Sequence, residues 1–196
     1  IGDWSSDVCS SDLIYFGEKI ENAFPGINFD IIVLNQVFEH IPDPSKLFSE
    51  IKNKLKPNGK VIVVIPNTES IWKKITREKW INWHIPYHLN HFNYQSFKKI
   101  ASNCGFKIEK HKTITPNAWT VLQLRSLFIE NKRGKKNNLW GYNTNSKIIK
   151  KISYKSKKLI RFALLFFPYM LITFFNRTID FMKLGDSLMI ILKVKK

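Results

Sequence analysis

The sequence predicts an α/β fold built on a parallel sheet, and three observations indicate it. Two short apolar runs rich in β-branched residues, Phe29–Leu34 and Lys60–Ile65, suit strands buried on both faces. Between them, Ser45–Leu55 has apolar residues at helical spacing. Parallel strands joined by a right-handed helical crossover form an open sheet, and ligands bind beyond the carboxyl ends of its strands. The predicted site edge therefore begins at Asn35–His40 and at Pro66–Asn67.

The connections within this first unit follow from proline and glycine. Pro42 and Pro44 interrupt the chain after the first strand, so that Asp43 or Ser45 can cap the helix that follows. Pro57-Asn58-Gly59 predicts a turn before the second strand.

The middle of the chain continues the alternation of helices and strands. We predict a helix over Thr68–Lys79 and an irregular loop over Trp80–Asn93, which holds three of the five histidines. A helix capped by Asn93 should cover Tyr94–Cys104, and the alternating pattern of Phe106–Ile114 predicts a strand.

The C-terminal third is less regular. We predict a helix over Trp119–Phe128, a polar loop over Glu130–Ser146 and a long helical segment over Lys147–Phe181. Pro168 should kink or divide that segment. Leu188–Val194 then predicts a final strand.

Composition bounds the class of protein. A chain of 196 residues suffices for one domain with a full core, and its net charge is +17. The charge has two explanations: an anionic partner, or the Lys, Asn, Ile and Phe usage of AT-rich coding. Cys9 and Cys104 form neither a disulfide framework nor a metal cluster, which favours a reducing, cytoplasmic setting.

The first residues do not look like protein design. Asp3–Leu13 matches the conceptual translation of a common sequencing-library adapter, and we exclude it from fold reasoning. We predict three segments in the remaining chain. Residues 14–128 form the main domain, residues 129–183 form a basic and apolar helical insert, and residues 184–196 form the final strand of the same sheet.

Short motifs in a fixed order identify a family resemblance. They are FDII at Phe29–Ile32, EHIPDP at Glu39–Pro44, LKPNG at Leu55–Gly59, Pro66-Asn67, HLNHF at His88–Phe92, Cys104-Gly105-Phe106 and Gly185–Leu188. Together they resemble class I methyltransferases that depend on S-adenosylmethionine (SAM), in the group acting on small molecules, quinones and cell-surface sugars. The resemblance implies a three-layer Rossmann-like sheet without its first two strands, with a helical insert before the last strand.

The resemblance also implies a cofactor site. The family's glycine-rich loop does not occur, since the sequence contains no Gly-x-Gly-x-Gly; we therefore interpret the sequence as the C-terminal part of such a domain. By resemblance, Glu18 binds the adenine amino group, and four residues line the SAM pocket: Asn35, Gln36, Val37 and Phe38. Alternatively, Glu18 is a solvated loop carboxylate, and Asn35 and Gln36 cap the strand end.

Histidines supply the candidate bases, because imidazole titrates near working pH. The candidates are His40, His84, His88 and His91. The resemblance favours His88, then His91, and His40 is the third choice; each is otherwise a structural histidine. Asn67, Trp83 and Tyr87 are the candidate acceptor-binding residues, although the aromatic pair could instead fill the core. Glu39, His40, His88 and His91 could also converge on a metal, but nothing in the sequence fixes that geometry, so we predict none.

The C-terminal insert raises the question of a membrane. From Lys132 to Arg161 there are eleven Lys or Arg and no acidic residue, followed by the apolar stretch Leu159–Phe175. Its uncharged part spans about 20 Å, which is short of a bilayer core of ~30 Å. Lys147–Phe181 therefore suits either an anionic membrane interface on the cytoplasmic side or a helical hairpin packed on the domain.

The leading hypothesis is a SAM-dependent methyltransferase acting on a small molecule, a sugar or a lipid-linked acceptor. The alternatives are a non-catalytic membrane-associated α/β protein and an RNA methyltransferase. Aromatic residues are not interleaved with the lysines, which makes nucleic acid the less favoured partner. The sequence does not predict an oligomeric state.

Overall fold

A single mixed sheet of four strands organises the protein, as seen in a computed structural model that describes residues 24–128 and 158–195. The strands are β1 (Phe29–Asn35), β2 (Leu55–Pro66), β3 (Phe106–Ile114) and β4 (Ser187–Val194). Their order is β1-β2-β4-β3; β1 and β2 are parallel, and β4 is antiparallel to both of its neighbours. The predicted α/β class and the parallel pair are confirmed, and the last strand lies between β2 and β3.

Helix α1 (Pro44–Lys54) connects β1 to β2, as predicted. Of the two candidate caps, Asp43 is the one used: its Oδ1 accepts hydrogen bonds from the backbone amides of Ser45 and Lys46, both at 3.0 Å. Pro44 lies in the first turn, where no amide donor is needed.

Helix α3 (Tyr94–Asn103) leads into β3, and Asn93 caps it as predicted. The cap is reciprocal, because the Asn93 side chain accepts from the Ser96 amide at 2.8 Å while the Asn93 amide donates to the Ser96 hydroxyl at 3.0 Å. Gly105, at φ +82°, then turns the chain into the strand.

The main core lies between one face of the sheet and these two helices. Its fully buried members include Phe48, Ile51, Val61, Val63, Ile65, Phe97, Ala101, Ile190 and Leu192. On the opposite face, Ile31 and Val33 of β1 are 54% and 59% exposed. Among the described residues, α1 and α3 cover one face of the sheet, and the opposite face is more exposed.

The predicted turn at 57–59 is instead a bulge inside β2. The pairing of β1 with β2 advances from Phe29–Leu55 to Ile31–Lys60, so that the extra residues of β2 leave the ladder. Asn58 takes a positive φ of 67° there. The residues typical of a turn are present, but pairing on both sides continues the strand through them.

The helix predicted over Thr68–Lys79 is much shorter: α2 covers only Ile71–Thr76. The Ser70 hydroxyl caps it by accepting from the Lys73 amide at 3.1 Å. Arg77, at φ +49°, ends it, and a single 3-10 turn follows over Arg77–Lys79. Composition indicated helix throughout, but this backbone reversal was not predictable from the side chains.

Two further helices, α4 (Asn117–Phe128) and α5 (Lys158–Phe181), pack together near the start of β4. Polar side chains join them: Thr120 donates to Asn176 at 2.7 Å, and Asn176 donates to Asn117 at 2.8 Å. Helix α5 runs through Pro168 without a break, so this proline does not divide the segment; the alternative, a kink at Pro168, stays a prediction. Among the described helices, none combines the length and hydropathy needed to cross a bilayer.

Candidate functional site

The carboxyl edge of the sheet begins where β1 ends. The Gln36 amide donates to the Val64 carbonyl at 2.8 Å, and its positive φ of 55° turns the chain out of the ladder. Asn35 is exposed and Val37 is 38% exposed. These three candidate cofactor residues therefore lie accessible together at the end of β1.

Phe38, the fourth candidate, has a different role. Its side chain is fully buried, with ring centroids of Phe48 and Phe97 at 4.9 and 5.3 Å and that of Phe92 at 5.9 Å. A side chain enclosed by three aromatic rings cannot contact a cofactor. We therefore correct this part of the assignment: the side chain of Phe38 anchors the site edge to the core, while a cofactor contact through its backbone stays a prediction. Glu18, the candidate for the adenine contact, lies outside the described residues.

A short 3-10 turn at Phe38–His40 is clamped to the histidine-rich loop. The Glu39 carbonyl accepts from the amides of Leu89 and Asn90 at 2.8 and 3.0 Å. The Asn90 side chain donates to the Ile41 carbonyl at 2.6 Å. These three bonds bring residues almost fifty positions apart together at the carboxyl edge of the sheet.

The clamp gathers four histidines into one cluster. The ring centroids of His40 and His88 are 4.6 Å apart; His84 lies 5.0 Å and His91 lies 6.3 Å from His88. The structure thus brings together all four histidines that the sequence offered as candidate bases. His84 is the one of the four that was not among the three preferred candidates.

Backbone carbonyls orient these rings. His88 Nδ1 lies 2.7 Å from the Asn82 carbonyl oxygen, and His40 Nδ1 lies 2.8 Å from that of Tyr87. Since a carbonyl only accepts, each Nδ1 carries the proton when the ring is neutral, and the lone pair of each ring is on Nε2. His91 differs, because its Nε2 is the atom near a carbonyl, that of Trp83 at 3.3 Å.

Burial changes the proton affinities in the cluster. Desolvation lowers the pKa of His88 to about 4; the hydrogen bond to Asn82 opposes the shift, and the neighbouring histidines add to it. Desolvation, with a smaller effect of His40, also lowers the pKa of His84. The neutral form of His88 and of His84 is therefore favoured at neutral pH.

Glu39 is the buried acid of the site. Its side chain has no solvent exposure, and neither carboxylate oxygen has a hydrogen-bond partner within the described part of the chain. Burial raises the pKa of this carboxyl, and the nearby His40 acts in the opposite direction. One potential ligand atom from each of Glu39, His40 and His88 lies within 4.8 Å of the other two.

Asn67 is buried, contrary to its assignment to the acceptor site. Its side chain donates to the Gly185 carbonyl at 2.9 Å and accepts from the Glu69 amide at 3.0 Å. Both amide groups are thereby used inside the fold. We correct its role to positioning: Asn67 ties the end of β2 to the start of β4.

The two aromatic candidates differ in accessibility. Tyr87 is 65% exposed, and its ring centroid lies 5.0 Å from that of His84. Trp83 is half-buried against Trp80 and donates from its indole to the Arg77 carbonyl at 2.9 Å. A cavity of about 530 Å³ borders Trp83 and the α2 region. Both side chains therefore remain available to line an acceptor pocket beside the histidines.

Asp186 is a site residue that sequence reasoning missed. Its buried carboxylate accepts hydrogen bonds from Trp80, Asn82 and Gln123 at 2.9, 3.0 and 3.0 Å. It thus fixes the residue whose carbonyl orients His88. A carboxylate in a predicted Gly-Asp turn gave no signal of this role, because its three donors come from distant segments.

A comparison with protein families gives one match, to a methyltransferase domain, over residues 7–111. This is slightly more than half of the chain, and it spans β1, β2, the histidine cluster and most of β3. It also begins inside the segment that resembles an adapter; the interpretation of that segment stays a prediction.

Two curated proteins are similar over about half of the chain. An uncharacterised protein of Methanocaldococcus jannaschii is 30% identical over 93 residues, which are 47% of this chain and 41% of that protein. A protein of Mycolicibacterium smegmatis, named a probable S-adenosylmethionine-dependent methyltransferase, is 29% identical over 96 residues, 49% and 35% of the two chains. The matched region therefore spans less than half of either relative.

Solved structures are similar only at a coarser level. One is a SAM-dependent methyltransferase from Archaeoglobus fulgidus, at 19% identity and a TM-score of 0.44, covering 90% of this chain and 65% of that one. Another is an O-methyltransferase of Brevibacillus brevis in complex with S-adenosyl-L-homocysteine, at 15% identity and a TM-score of 0.42, with coverages of 92% and 48%.

Proposed function

The chain belongs to the methyltransferase-domain family, and from that membership we propose that it forms part of a SAM-dependent methyltransferase. The family match is the observation that carries the proposal. It covers the open edge at Asn35–Val37, and this edge leads directly into the clamped histidine cluster. A cofactor at the open edge and an acceptor at the histidine cluster would lie side by side at the carboxyl ends of β1 and β2.

The residues present suit the protein's part in methyl transfer. Bound SAM would supply an electrophilic methyl group, and the chain's residues would bind, orient and deprotonate the acceptor. Asn35, Gln36 and Val37 would line the cofactor. His88 would receive a proton at Nε2, because the Asn82 carbonyl occupies the other ring nitrogen. Trp83 and Tyr87 would enclose the acceptor.

The acceptor that we propose is a small molecule, with a sugar or lipid-linked compound as the more specific possibility. The support is chemical. Trp83 borders a cavity of about 530 Å³, a scale that fits a small ligand, and the other lining residues of this cavity are polar or charged. Tyr87 is exposed nearby in sequence, and such aromatic side chains suit the apolar face of a sugar ring.

SAM binding by the intact product of the gene tests this function. Isothermal calorimetry should give a micromolar Kd for SAM and a weaker one for the Val37→Glu variant. We expect at least about a tenfold loss, because burying an unpaired carboxylate costs more than the ~1.4 kcal/mol that tenfold affinity represents.

The matched control is Val121→Glu, since Val121 is also an exposed valine but lies on α4. It should leave SAM affinity unchanged. An intact protein that does not bind SAM would contradict the proposal and favour a non-catalytic α/β protein. Equal losses in both variants would contradict the placement of the cofactor at the end of β1.

We also propose that α5 contacts the anionic surface on the cytoplasmic side of a membrane. The supporting observation is exposure: Leu171 and Phe174 are 68% and 74% exposed, although both are strongly apolar. The lysine-rich stretch Lys132–Arg161 precedes and overlaps the start of this helix in sequence. Apolar side chains next to a basic segment are typical of a helix lying in an anionic interface, and vesicle flotation tests this.

A further inference from the structure

The buried carboxylate of Glu39 is the feature that the proposed methyl transfer leaves unexplained. A carboxylate without solvent exposure and without a hydrogen-bond donor is costly, so native proteins pair such groups or neutralise them. Its neighbours in the cluster are the imidazoles of His40 and His88. A cation shared with those imidazoles would satisfy both carboxylate oxygens.

The histidines beside Glu39 have the orientation that metal ligands need. His40 and His88 each place Nδ1 against a backbone carbonyl, at 2.8 and 2.7 Å, which leaves the Nε2 lone pairs free for coordination. Histidines that bind metals usually donate their other ring N–H to a carbonyl or carboxylate in this way. Both acceptors are backbone carbonyls of the histidine-rich loop, which the clamp holds in place, so the orientation of the two rings does not depend on another side chain.

The distances are compatible with a metal centre. Three atoms no more than 4.8 Å apart can all lie within roughly 2.8 Å of a common point. Bond lengths of about 2.0–2.2 Å to zinc then require each ligand to move by less than about 1 Å. His40 and His88 are only partly buried, so their rings have room for this adjustment.

We propose that Glu39, His40 and His88 form a binding site for a divalent transition-metal ion, with Zn²⁺ as the first candidate. Two imidazoles and one carboxylate form a donor set that zinc and other late first-row metals prefer over Mg²⁺ or Ca²⁺, which take oxygen ligands. This replaces the sequence-based expectation of no metal. Three protein ligands also leave at least one coordination position open.

The open coordination position could bind the methyl acceptor. This role of the metal, unlike the site itself, rests on the proposed function. A metal held by His88 competes with that residue's role as a base, since both need Nε2. The ion would instead bind the acceptor's hydroxyl oxygen and lower its pKa, so that the hydroxyl proton would pass to solvent water and the oxygen would then take the methyl group of SAM. The acceptor class would then be hydroxyl compounds that can reach a metal.

Zinc binding by the full chain tests the site independently of any activity. After removal of metals by chelation, calorimetry with Zn²⁺ should show one ion bound per chain, and Mg²⁺ should not bind comparably. Glu39→Gln and His88→Gln should each weaken Zn²⁺ binding by at least about 100-fold, because even residues that only orient a ligand usually contribute 10–100-fold.

His111→Gln is the matched control, since His111 lies on β3 and stacks on Tyr94 rather than on the cluster. It should bind Zn²⁺ as the unaltered chain does. Thermal unfolding followed by circular dichroism separates binding from folding. Metal-free Glu39→Gln should be at least as stable as the unaltered chain, because it removes a buried charge. Zn²⁺ should stabilise the unaltered chain and His111→Gln but not Glu39→Gln.

Two results would overturn the proposal. One is a chain that is folded by circular dichroism and binds no Zn²⁺ stoichiometrically. The other is stoichiometric binding that Glu39→Gln and His88→Gln leave unchanged, which would place the ion elsewhere. Methyl transfer does not enter either readout, so failure of the metal site and failure of the proposed function can be told apart.

Discussion

Single buried polar residues hold the candidate site in place. Asp186 accepts from three side chains and thereby fixes Trp80 and Asn82 beneath the histidine loop. Burial raises the pKa of this carboxyl, while the donors of Trp80, Gln123 and Asn82 act in the opposite direction. Asn67 performs a similar task between β2 and β4. The geometry of the partly buried histidines thus depends on buried polar groups that lie outside the cluster.

Replacing Asp186 should therefore destabilise the fold. Asp186→Ala leaves three buried donors without an acceptor, and we expect a loss of about 3 kcal/mol in the free energy of unfolding. Urea denaturation followed by far-UV circular dichroism measures it. Asp30→Ala is the control, because Asp30 is 78% exposed and its ion pair with Lys56 should contribute less than about 1 kcal/mol. Equal losses for the two variants would contradict this account.

At the scale of elements, the carboxyl edge of the sheet is covered by irregular structure, while regular helices cover one face. Helices α1 and α3 bury apolar faces against β2 and β4. The segment from α2 to α3 contains only single helical turns, and a second small cluster of Trp72, Trp80 and Ile179 joins it to α5. Helix α5 thus contributes packing near its end and exposes apolar side chains between Phe167 and Phe181.

The exposed face of α5 carries the membrane prediction. A Leu171→Ser, Phe174→Ser double variant should float with phosphatidylserine-containing vesicles at least about tenfold less than the unaltered chain. The reason is that each large apolar side chain contributes about 1.5–3 kcal/mol when it leaves water. Flotation in a sucrose gradient, with the protein quantified in the vesicle fraction, measures this.

The control for that experiment is Ile31→Ser, Val33→Ser, which removes two comparably exposed apolar side chains from the sheet instead of the helix. It should float like the unaltered chain. If the unaltered chain does not float with anionic vesicles, or if the α5 variant floats equally well, α5 is not a membrane contact and its exposed side chains have another partner.

For the whole molecule, the described residues provide one side of a ligand site. The end of β1, the histidine loop and the start of β4 meet at one edge of the sheet. The glycine-rich loop that the family resemblance requires for the cofactor is not in this sequence. The chain also spans less than half of the curated relatives that it matches.

The chain of 196 residues should consequently bind SAM too weakly to measure, in contrast to the intact gene product. Half of the cofactor's contacts are expected from the glycine-rich loop, and losing even a few kcal/mol moves a micromolar Kd into the millimolar range. Calorimetry with SAM on both proteins makes the comparison. Micromolar binding by the chain alone would show that the residues present form a complete cofactor site.

Local signals explain what the sequence determined. The strands, α1, α3 and their caps followed from hydrophobic periodicity and from Asp43 and Asn93, because such patterns act over a few neighbouring residues. The family resemblance rests on the same stretch. His88, His91 and His40 could be named as candidates because their residue type is suited to proton transfer, and the structure brings them together.

Only the tertiary structure decided what these residues contact. Phe38 and Asn67 follow strands directly, yet packing buries one in the core and hydrogen bonds occupy the other. Glu39 is left without a donor because a loop almost fifty residues away folds over it, and that loop has no periodicity from which its path could be predicted. Burial and long-range hydrogen bonding depend on the whole chain, so the pattern of neighbouring residues could not specify them.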